Sequence, residues 1–284
     1  MIKLFDALVT PILNYGCEIW GFSNVIKLDC VHRKFCKWLL NVKTTTNTLS
    51  VYGELGRFPL IIERQIRAVK YWFKLCNTDT TNCILRTVYK DMYTLTEING
   101  KETWLKRVKC LLQRSGYPDV WTFPSSVTVH KFIPFLRLRL RDLYISEWRE
   151  GMSQCTSLTL YRELKPVFVR SEYLTLLRNF KYRRAISRLR VSSHKLNIES
   201  GRHAGIARAD RFCSLCNLND IEDEYHFILI CPVYAEIRSV YINSYYYRRP
   251  SVYKLVQLLS SDKFNVLKKL ALYIIEAFKM RDSL

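Results

Sequence analysis

Apolar residues return at every third or fourth position along most of the chain, and this period is the feature that most limits its fold. Runs of β-branched residues bounded by turn residues are few, so the pattern favours helices over strands. Glycine and proline are scarce, nine and eight among 284 residues, which argues against fibrous, linker-like and low-complexity chains. Because 49% of the residues are hydrophobic, the chain can bury one large core or two modest ones. We predict an all-α protein.

Three helices are predicted in the first eighty residues. An apolar stripe runs along the first, with a kink at Pro11, because proline removes a ladder hydrogen bond. The second runs from an N-cap at Asn24 to Leu40, and the third follows Pro59. The residues predicted to be buried are Leu4, Phe5, Leu8, Ile12, Tyr15 and Ile19 in the first, Leu28, Val31, Phe35 and Leu39 in the second, and Ile62, Ile66, Val69, Phe73 and Cys76 in the third.

Later segments also carry a helical period. Helices are predicted at about residues 181–196, 233–245 and 265–280. Residues 135–141 alternate like a strand, but the apolar positions up to residue 148 continue like a helix, and we assign the segment to a helix. The turn signal Asn99-Gly100 marks one boundary, and a cluster of glycine, proline and serine at 116–126 marks a second.

Four potential metal ligands fall within 19 residues, in the pattern Cys213-x2-Cys216-x9-His226-x4-Cys231. A Cys-x2-Cys pair lets two thiolates turn back onto one ion, and a nearby histidine and cysteine complete the tetrahedron that Zn²⁺ prefers in structural sites. Pro232 favours an extended Cys231 before a new helix. The pattern predicts a closed Cys3His zinc site, which holds the fold and leaves no open position for catalysis.

Two other interpretations of these residues stay open. They could be core side chains that lie together by chance in a chain with ten cysteines. Cys213 and Cys216 could also form a redox pair, although such a pair needs a strand that leads into a helix, and here an acidic polar loop follows. The acids of that loop fit a solvated first turn of a helix better than a metal-related role; they are Asp220, Glu222, Asp223 and Glu224.

The chain is strongly basic, with 45 Lys and Arg against 25 Asp and Glu and a formal net charge of +20. Residues 178–195 hold seven basic residues and no acidic one. On a helix they would form two ridges beside an apolar face. Arginine is well suited to bind phosphate, because its planar guanidinium can donate two parallel hydrogen bonds to one phosphate group. An exposed face without a partner is the plainer interpretation. We predict contacts with RNA or DNA phosphates, from Lys181, Arg184, Arg188 and Lys195 on one ridge, Arg183 and Arg190 on the other, and Arg178.

A second basic cluster, Tyr245-Tyr-Tyr-Arg-Arg249, places aromatic residues beside arginines. Proteins that bind single strands use this combination, because aromatic rings stack on bases. Packing of these tyrosines against the last helix explains the cluster equally well.

Motifs for catalysis are missing from this sequence. It has no Asp-Asp pair, glycine-rich phosphate loop, nucleophile elbow or His-Glu-x-x-His helix, so we predict that the chain is not an enzyme. No apolar run approaches the roughly 18 to 20 residues that cross a bilayer, and the first residues do not follow the signal-peptide pattern. We therefore expect an intracellular protein, nuclear and/or cytoplasmic, with reduced thiols and no membrane partner.

Four stretches of the sequence form a recognisable set. They are PILNYGCEIWG at 11–21, VHRKFCKWLL at 31–40, YGELGRFPL at 52–60, and LRVSSHKLNIESGR at 189–202, which precedes the four candidate ligands. Together they resemble the region after the polymerase palm in non-LTR (LINE-type, jockey-like) retrotransposon reverse transcriptases. The similarity covers roughly residues 1–240.

The resemblance implies roles for several segments. Residues 1–96 would correspond to the thumb, which grips the primer-template, and the later part would help to bind element RNA or target DNA during target-primed reverse transcription. The four ligands would form the family's zinc knuckle, with Arg202 and Arg211 in the basic approach to it. The catalytic aspartates and the endonuclease of that family would lie upstream, so the chain would be the tail of a longer reading frame, with the polymerase palm as a further partner.

Together these observations predict four segments. They are a thumb-like helical bundle at 1–96, a basic helical connector at 97–200, a CCHC zinc-knuckle module at 201–245 and C-terminal helices at 246–284. The first functional hypothesis is a non-catalytic nucleic-acid-binding fragment with a structural zinc ion and an arginine-rich, phosphate-contacting surface. The alternatives are a zinc-stabilised helical scaffold that meets an acidic protein, a thiol–disulfide enzyme, and an inert remnant of the element.

Overall fold

A computed structural model describes residues 1–23, 25–77, 83–98 and 100–284. Helices dominate these ranges, and their only β structure is one antiparallel bridge between Phe212 and Ile221. The predicted all-α fold is confirmed. Among the described residues, no helix combines the length and the apolar character that a bilayer span requires. Asn24 and Asn99, a predicted cap and a predicted turn residue, lie outside the described residues.

The chain divides into two compact units, and each is discontinuous in sequence. The first comprises residues 1–32 and 58–147, and the second comprises residues 33–57 and 148–284. Two helices, Ile26–Leu40 and Val129–Gln154, contribute residues to both units. The four segments predicted from the sequence do not coincide with these units. Local composition marks turns, whereas contacts between distant residues define the units.

The first unit is built around the amphipathic helix Ile61–Cys76. Ile62, Ile66, Val69 and Phe73 are buried as predicted. Further helices of this unit are Ile2–Leu4, Phe5–Val9 (a π-helix), Thr10–Leu13, Cys17–Trp20, Cys83–Glu97, Trp104–Arg114, Pro118–Thr122 and Pro124–Ser126 (a 3-10 helix).

The N-terminal apolar stripe is not buried, which corrects the prediction. Phe5 is 6% exposed, but Ile12 is 75% exposed. The π-helix Phe5–Val9 and the left-handed Gly16 (φ 65°) interrupt the regular period, so the stripe does not stay on one core-facing side. The other exposed members are Leu4, Leu8, Tyr15 and Ile19.

The buried face of Ile26–Leu40 also differs from the prediction. His32, Cys36 and Leu40 are buried there, one position after the predicted face. Of that predicted face, Val31 is exposed, and Leu28, Phe35 and Leu39 are half-buried. A prediction from the spacing of large apolar residues could not identify this face, because two of its three buried positions are a histidine and a cysteine.

The second unit packs the helices Phe180–Arg190 and Phe264–Ser283 against each other. The helix predicted at 181–196 ends at Arg190, and Ser192 takes a left-handed conformation (φ 53°). The predicted helix at 135–148 lies within Val129–Gln154. The remaining helices of this unit are Thr48–Leu55, Thr156–Leu158, Thr159–Leu164, Tyr173–Leu176, Asn197–His203, Arg208–Asp210, His226–Ile230, Pro232–Tyr234, Ala235–Tyr241, Ser244–Tyr247 and Val252–Leu259.

Candidate metal centre

Cys213 and Cys216 lie on a tight turn that the antiparallel bridge closes. The Cys213 N–H donates to the Asp220 carbonyl oxygen at 2.9 Å. The backbone N–H groups of Leu215 and Cys216 donate to Cys213 Sγ. Because these donors favour a charged sulfur, the turn is suited to a metal-bound thiolate.

His226 and Cys231 lie at the two ends of a single wide turn, the π-helix His226–Ile230. The His226 N–H donates to Asp223 Oδ1 at 2.8 Å, which caps this turn. Cys231 is extended (φ −50°, ψ 122°), and Pro232 opens the next helical turn, as predicted from the sequence. The change in backbone direction at Cys231 turns its side chain toward the other three residues.

The four predicted ligands converge. One ligand atom from each of Cys213, Cys216, His226 and Cys231 lies within 4.8 Å of all the others, and Cys216 Sγ is 3.3 Å from His226 Nε2. Sulfur atoms bound at about 2.3 Å to one tetrahedral ion are about 3.8 Å apart, so the spacing fits a shared ion. All three cysteines are free thiols. The cluster could hold a metal ion, and the prediction that these residues come together is confirmed.

The cluster is largely buried, and burial governs its protonation. Burial raises the pKa of the Cys231 thiol to about 12 and raises the pKa of Cys213 as well. Burial also lowers the pKa of His226, despite the nearby carboxylates of Asp220 and Asp223. Without a cation, burial therefore favours the neutral forms of Cys213, Cys231 and His226. A bound divalent ion reverses this preference for the thiols, because it displaces their protons.

Two buried charged side chains, Arg238 and Glu222, form hydrogen bonds with the segments that carry the four ligands or lie beside them. Arg238 is 5% exposed, and its guanidinium donates to the carbonyl oxygens of Ile228 and Cys231, both at 2.7 Å. These two carbonyls lie in and just after the π-helix, so Arg238 ties the end of this turn to the helix that follows. Glu222 Oε2 accepts hydrogen bonds from the Asn197 N–H at 2.8 Å and from Arg281 Nη2 at 2.7 Å. Neither arginine carries a local sequence signal for this role.

The acidic loop is less exposed than predicted. Glu222 and Glu224 are 1% and 7% exposed, so the prediction of a solvated acidic turn is wrong for both. Glu224 Oε1 lies 2.8 Å from His194 Nε2, and the Leu196 N–H donates to His194 Nδ1. Burial opposes ionisation of Glu224, but its bond to His194 holds the pKa below its ordinary value. The histidine is 30 residues away, so local spacing could not reveal the pair.

Four of the predicted phosphate contacts lie at the start of the helix Phe180–Arg190 with their charges unpaired. In the described part of the chain, no hydrogen bond or ion pair engages the side chains of these four residues. Three of them are exposed, and Arg183 is half-buried. The set, called the basic turn below, comprises Arg178, Lys181, Arg183 and Arg184.

Arg190 is not available to a phosphate, which corrects its place in the predicted ridge. It is 4% exposed, and its guanidinium binds the Glu54 carboxylate, with 3.0 Å between Nη2 and Oε1. Its Nη1 donates to the Leu259 carbonyl oxygen at 2.8 Å. The helical period placed this arginine on a flank, but a buried acid from a distant part of the chain binds it.

The remaining predicted cations already have partners within the second unit. Lys195 also lies beyond the end of the helix, so it does not continue the ridge of Lys181. The pairs are Arg188 with Asn41 at 2.8 Å, Lys195 with Asp282 at 3.0 Å, Arg202 with Glu199 at 2.6 Å, and Arg211 with the carbonyl oxygens of Ile198 and Ile206 at 3.0 and 2.8 Å.

Comparisons with protein-family models, with curated proteins and with solved structures find no match. The resemblance to retrotransposon reverse transcriptases therefore stays a prediction from the sequence.

Proposed function

We propose that the chain is a non-catalytic nucleic-acid-binding module of the reverse-transcriptase type that its sequence resembles. In this proposal a structural Zn²⁺ ion holds the 213–231 loop, and the basic turn contacts the phosphates of RNA or DNA. The observation that carries the proposal is the basic turn itself, four neighbouring cations that form no ion pair with any acid in the described ranges.

Zinc is the ion that suits the donor set best. Three thiolates and one imidazole form the Cys3His set of structural zinc sites, whereas Mg²⁺ and Ca²⁺ prefer oxygen ligands. With four protein ligands, no coordination position stays open for water or substrate. The ion would therefore stabilise the loop and would not act on a substrate.

The basic turn has the chemistry of a phosphate contact. Burial and the charge of Arg184 lower the pKa of Arg188, one turn further along the same helix, so these two cations repel each other. An anion bound there would relieve that repulsion. Phe180 is 46% exposed beside Lys181, so an apolar ring lies among the charges. Arginine next to an exposed ring binds both phosphates and bases.

A salt titration of binding tests this proposal. The full chain with bound metal is titrated into a labelled RNA or DNA duplex, and fluorescence anisotropy gives the affinity at several salt concentrations. For DNA, the variant Arg183→Gln/Arg184→Gln should reduce the slope of log affinity against log salt by up to about 1.8, since each lost phosphate contact removes about 0.9.

The matched control is Lys90→Gln/Lys131→Gln, which removes the same charge from two exposed lysines of the first unit. Its slope should stay within about 0.3 of the wild-type slope, because the proposal places no phosphate contact at these two lysines. Equal slopes for the wild type and the basic-turn variant would contradict the proposal.

A second candidate function is a helical protein-interaction scaffold. The N-terminal stripe favours it, because its large apolar side chains are exposed and therefore open to contact by a protein partner. A scaffold of this kind predicts no salt-dependent binding of nucleic acid, so the same titration separates the two functions. The stripe comprises Leu4, Leu8, Ile12, Tyr15 and Ile19.

A further inference from the structure

The tyrosine-rich segment that follows residue 243 forms two short helices near the surface. The first, Ser244–Tyr247, is capped by the Asn243 side chain, which accepts a hydrogen bond from the Tyr245 N–H at 2.9 Å. The second, Val252–Leu259, is capped by Ser251. These caps fix the helix starts, and so they fix the positions from which the tyrosines project.

The second helix divides its residues between the core and the surface. Leu255, Leu258 and Leu259 are 1 to 2% exposed and pack into the second unit. Tyr253 is 73% exposed, and in the described residues its side chain has no hydrogen bond and no ring contact. Tyr245, from the first helix, is 52% exposed. Packing against the last helix therefore does not explain these two rings.

The rings line an open groove of about 570 Å³, which we call the tyrosine groove. Its wall includes Tyr245, Tyr246 and Tyr253, together with the amide side chains of Asn243 and Gln257. A volume in this range accommodates planar organic groups. Amides can donate and accept hydrogen bonds at the edges of such groups, while the rings offer stacking faces.

Several cations lie near the Tyr245 side of the groove. The Lys254 ammonium lies 4.5 Å from the centre of the Tyr245 ring and donates to the carbonyl oxygens of Tyr245 and Arg249. Arg248 and Arg249 are exposed, and within the described chain their guanidinium groups form no ion pair. Asp262 is the one acid among the lining residues, and Lys263, the next residue in the chain, also lines the groove. The balance favours a ligand with negative charges and flat rings.

We propose that the tyrosine groove binds the unpaired bases of a single-stranded nucleic acid, with Tyr253 and Tyr245 as stacking residues and Arg248 and Arg249 near the phosphates. A duplex keeps its base faces covered, so it cannot use these rings. Stacking accepts every base, and the groove therefore selects strand state and not sequence. The inference rests on the proposed function only in that both ligands are polynucleotides, since the basic turn is a different set of residues.

The test compares two probes with the full metal-bound chain: a labelled oligothymidylate of about 12 nucleotides and a blunt-ended duplex without unpaired bases. In Tyr245→Leu/Tyr253→Leu, the exposed apolar volume remains but the stacking faces are lost. We expect this variant to bind the single strand at least about fivefold more weakly, and the duplex as the wild type does. Tyr253→Phe, which keeps the ring, should bind the single strand as the wild type does.

The two proposals fail in different ways. If the double leucine variant binds the single strand as tightly as the wild type, the groove serves another ligand, such as a protein or a lipid surface, and this inference is overturned. An equal loss for both probes also overturns it, because stacking discriminates between strand states. A failure of the basic turn appears elsewhere, as an unchanged salt slope for Arg183→Gln/Arg184→Gln on the duplex. Unchanged thermal midpoints verify that the exposed substitutions leave the fold intact.

Discussion

Glu54 and Arg190 form a buried ion pair in which Oε1 and Nη2 are 3.0 Å apart and the side chains are 0% and 4% exposed. Burial opposes ionisation of Glu54, but the charge and hydrogen bonds of Arg190 outweigh it and hold the pKa below its ordinary value. The Arg190 guanidinium also lies 5.3 Å from the centre of the Tyr173 ring. Arg190, which the sequence analysis assigned to a nucleic-acid-binding surface, is therefore part of a buried ion pair in the second unit.

Removal of one partner from this pair should strongly destabilise the protein. Glu54→Gln leaves the Arg190 charge buried without compensation, which costs about 3–5 kcal/mol of unfolding free energy. Urea denaturation measures this loss. Asp282→Asn is the matched control, because it breaks the exposed pair with Lys195 and should cost less than about 1 kcal/mol. Similar costs for the two variants would show that the buried pair adds nothing to stability.

Lys165 should make the free energy of unfolding increase with pH in the alkaline range. Burial lowers the pKa of its ammonium from 10.5 to about 8, although the Glu54 charge opposes this. Between these two values the unfolded chain binds more protons than the folded one, so this residue makes the free energy of unfolding rise with pH. Below about pH 8 the lysine is charged in both states, and the gain is absent.

The variant Lys165→Met lacks this titration. Urea denaturation of both proteins at several pH values should show the wild type gaining stability relative to the variant from about pH 8 to pH 10.5. A difference that does not change with pH in this window would contradict the prediction.

Two glycines of the YGELGRFPL stretch should tolerate no side chain. A Cβ on Gly53 would lie 2.7 Å from Tyr161 Oη and 2.8 Å from Trp148 Cζ2. Gly56 is left-handed (φ +57°), and its Cβ would lie 2.4 Å from the Arg170 backbone nitrogen. Gly56→Ala therefore combines backbone strain of roughly 1–2 kcal/mol with a clash that costs roughly 1–3 kcal/mol.

Gly205→Ala separates these two effects. Gly205 is also left-handed (φ +74°), but a Cβ there would meet no atom within 4 Å. We expect Gly205→Ala to lose only the strain, and Gly56→Ala to lose measurably more in urea denaturation. Equal losses would mean that the second unit adjusts around Arg170 without cost.

The sequence predicted the features that depend on neighbouring residues. The spacing of Cys213, Cys216, His226 and Cys231 predicted that these four potential ligands come together, because all four lie in one short loop whose turns are set locally. The regular stripe of Ile61–Cys76 identified its buried face for the same reason. Both patterns involve residues that are close in sequence, so the local backbone conformation alone determines which of their side chains lie together.

Features that depend on distant residues could not be read in this way. Arg190 is 136 residues from Glu54, and Glu224 is 30 residues from His194, so neither pair leaves a local pattern. The exposure of Ile12 depends on interruptions of the helix that the hydrophobic period does not encode. For this reason the cations of the basic turn could be separated from the structural arginines only when their partners were known.

Metal removal should unfold the 213–231 loop and leave the first unit folded. The purified chain should contain one zinc ion, measured by elemental analysis, and Cys213→Ser or a strong chelator should remove it. Structural zinc contributes apparent binding energies of about 10–16 kcal/mol in small peptides, so the loop should become sensitive to protease once the ion is lost. Cys110→Ser, an exposed thiol outside the cluster, should keep the ion. Unchanged protease resistance after metal loss would argue against a structural role.

Substitutions in the N-terminal stripe should have little effect on stability, although the sequence pattern predicts a core. Ile12 is 75% exposed, whereas Ile66 in the helix Ile61–Cys76 is 1% exposed. Ile12→Ser should therefore change the free energy of unfolding by no more than about 0.5 kcal/mol. Ile66→Ala should cost about 2–5 kcal/mol, because it loses buried apolar area and leaves a cavity. Urea denaturation of the two variants gives both numbers, and a large loss for Ile12→Ser would mean that this stripe is covered in solution.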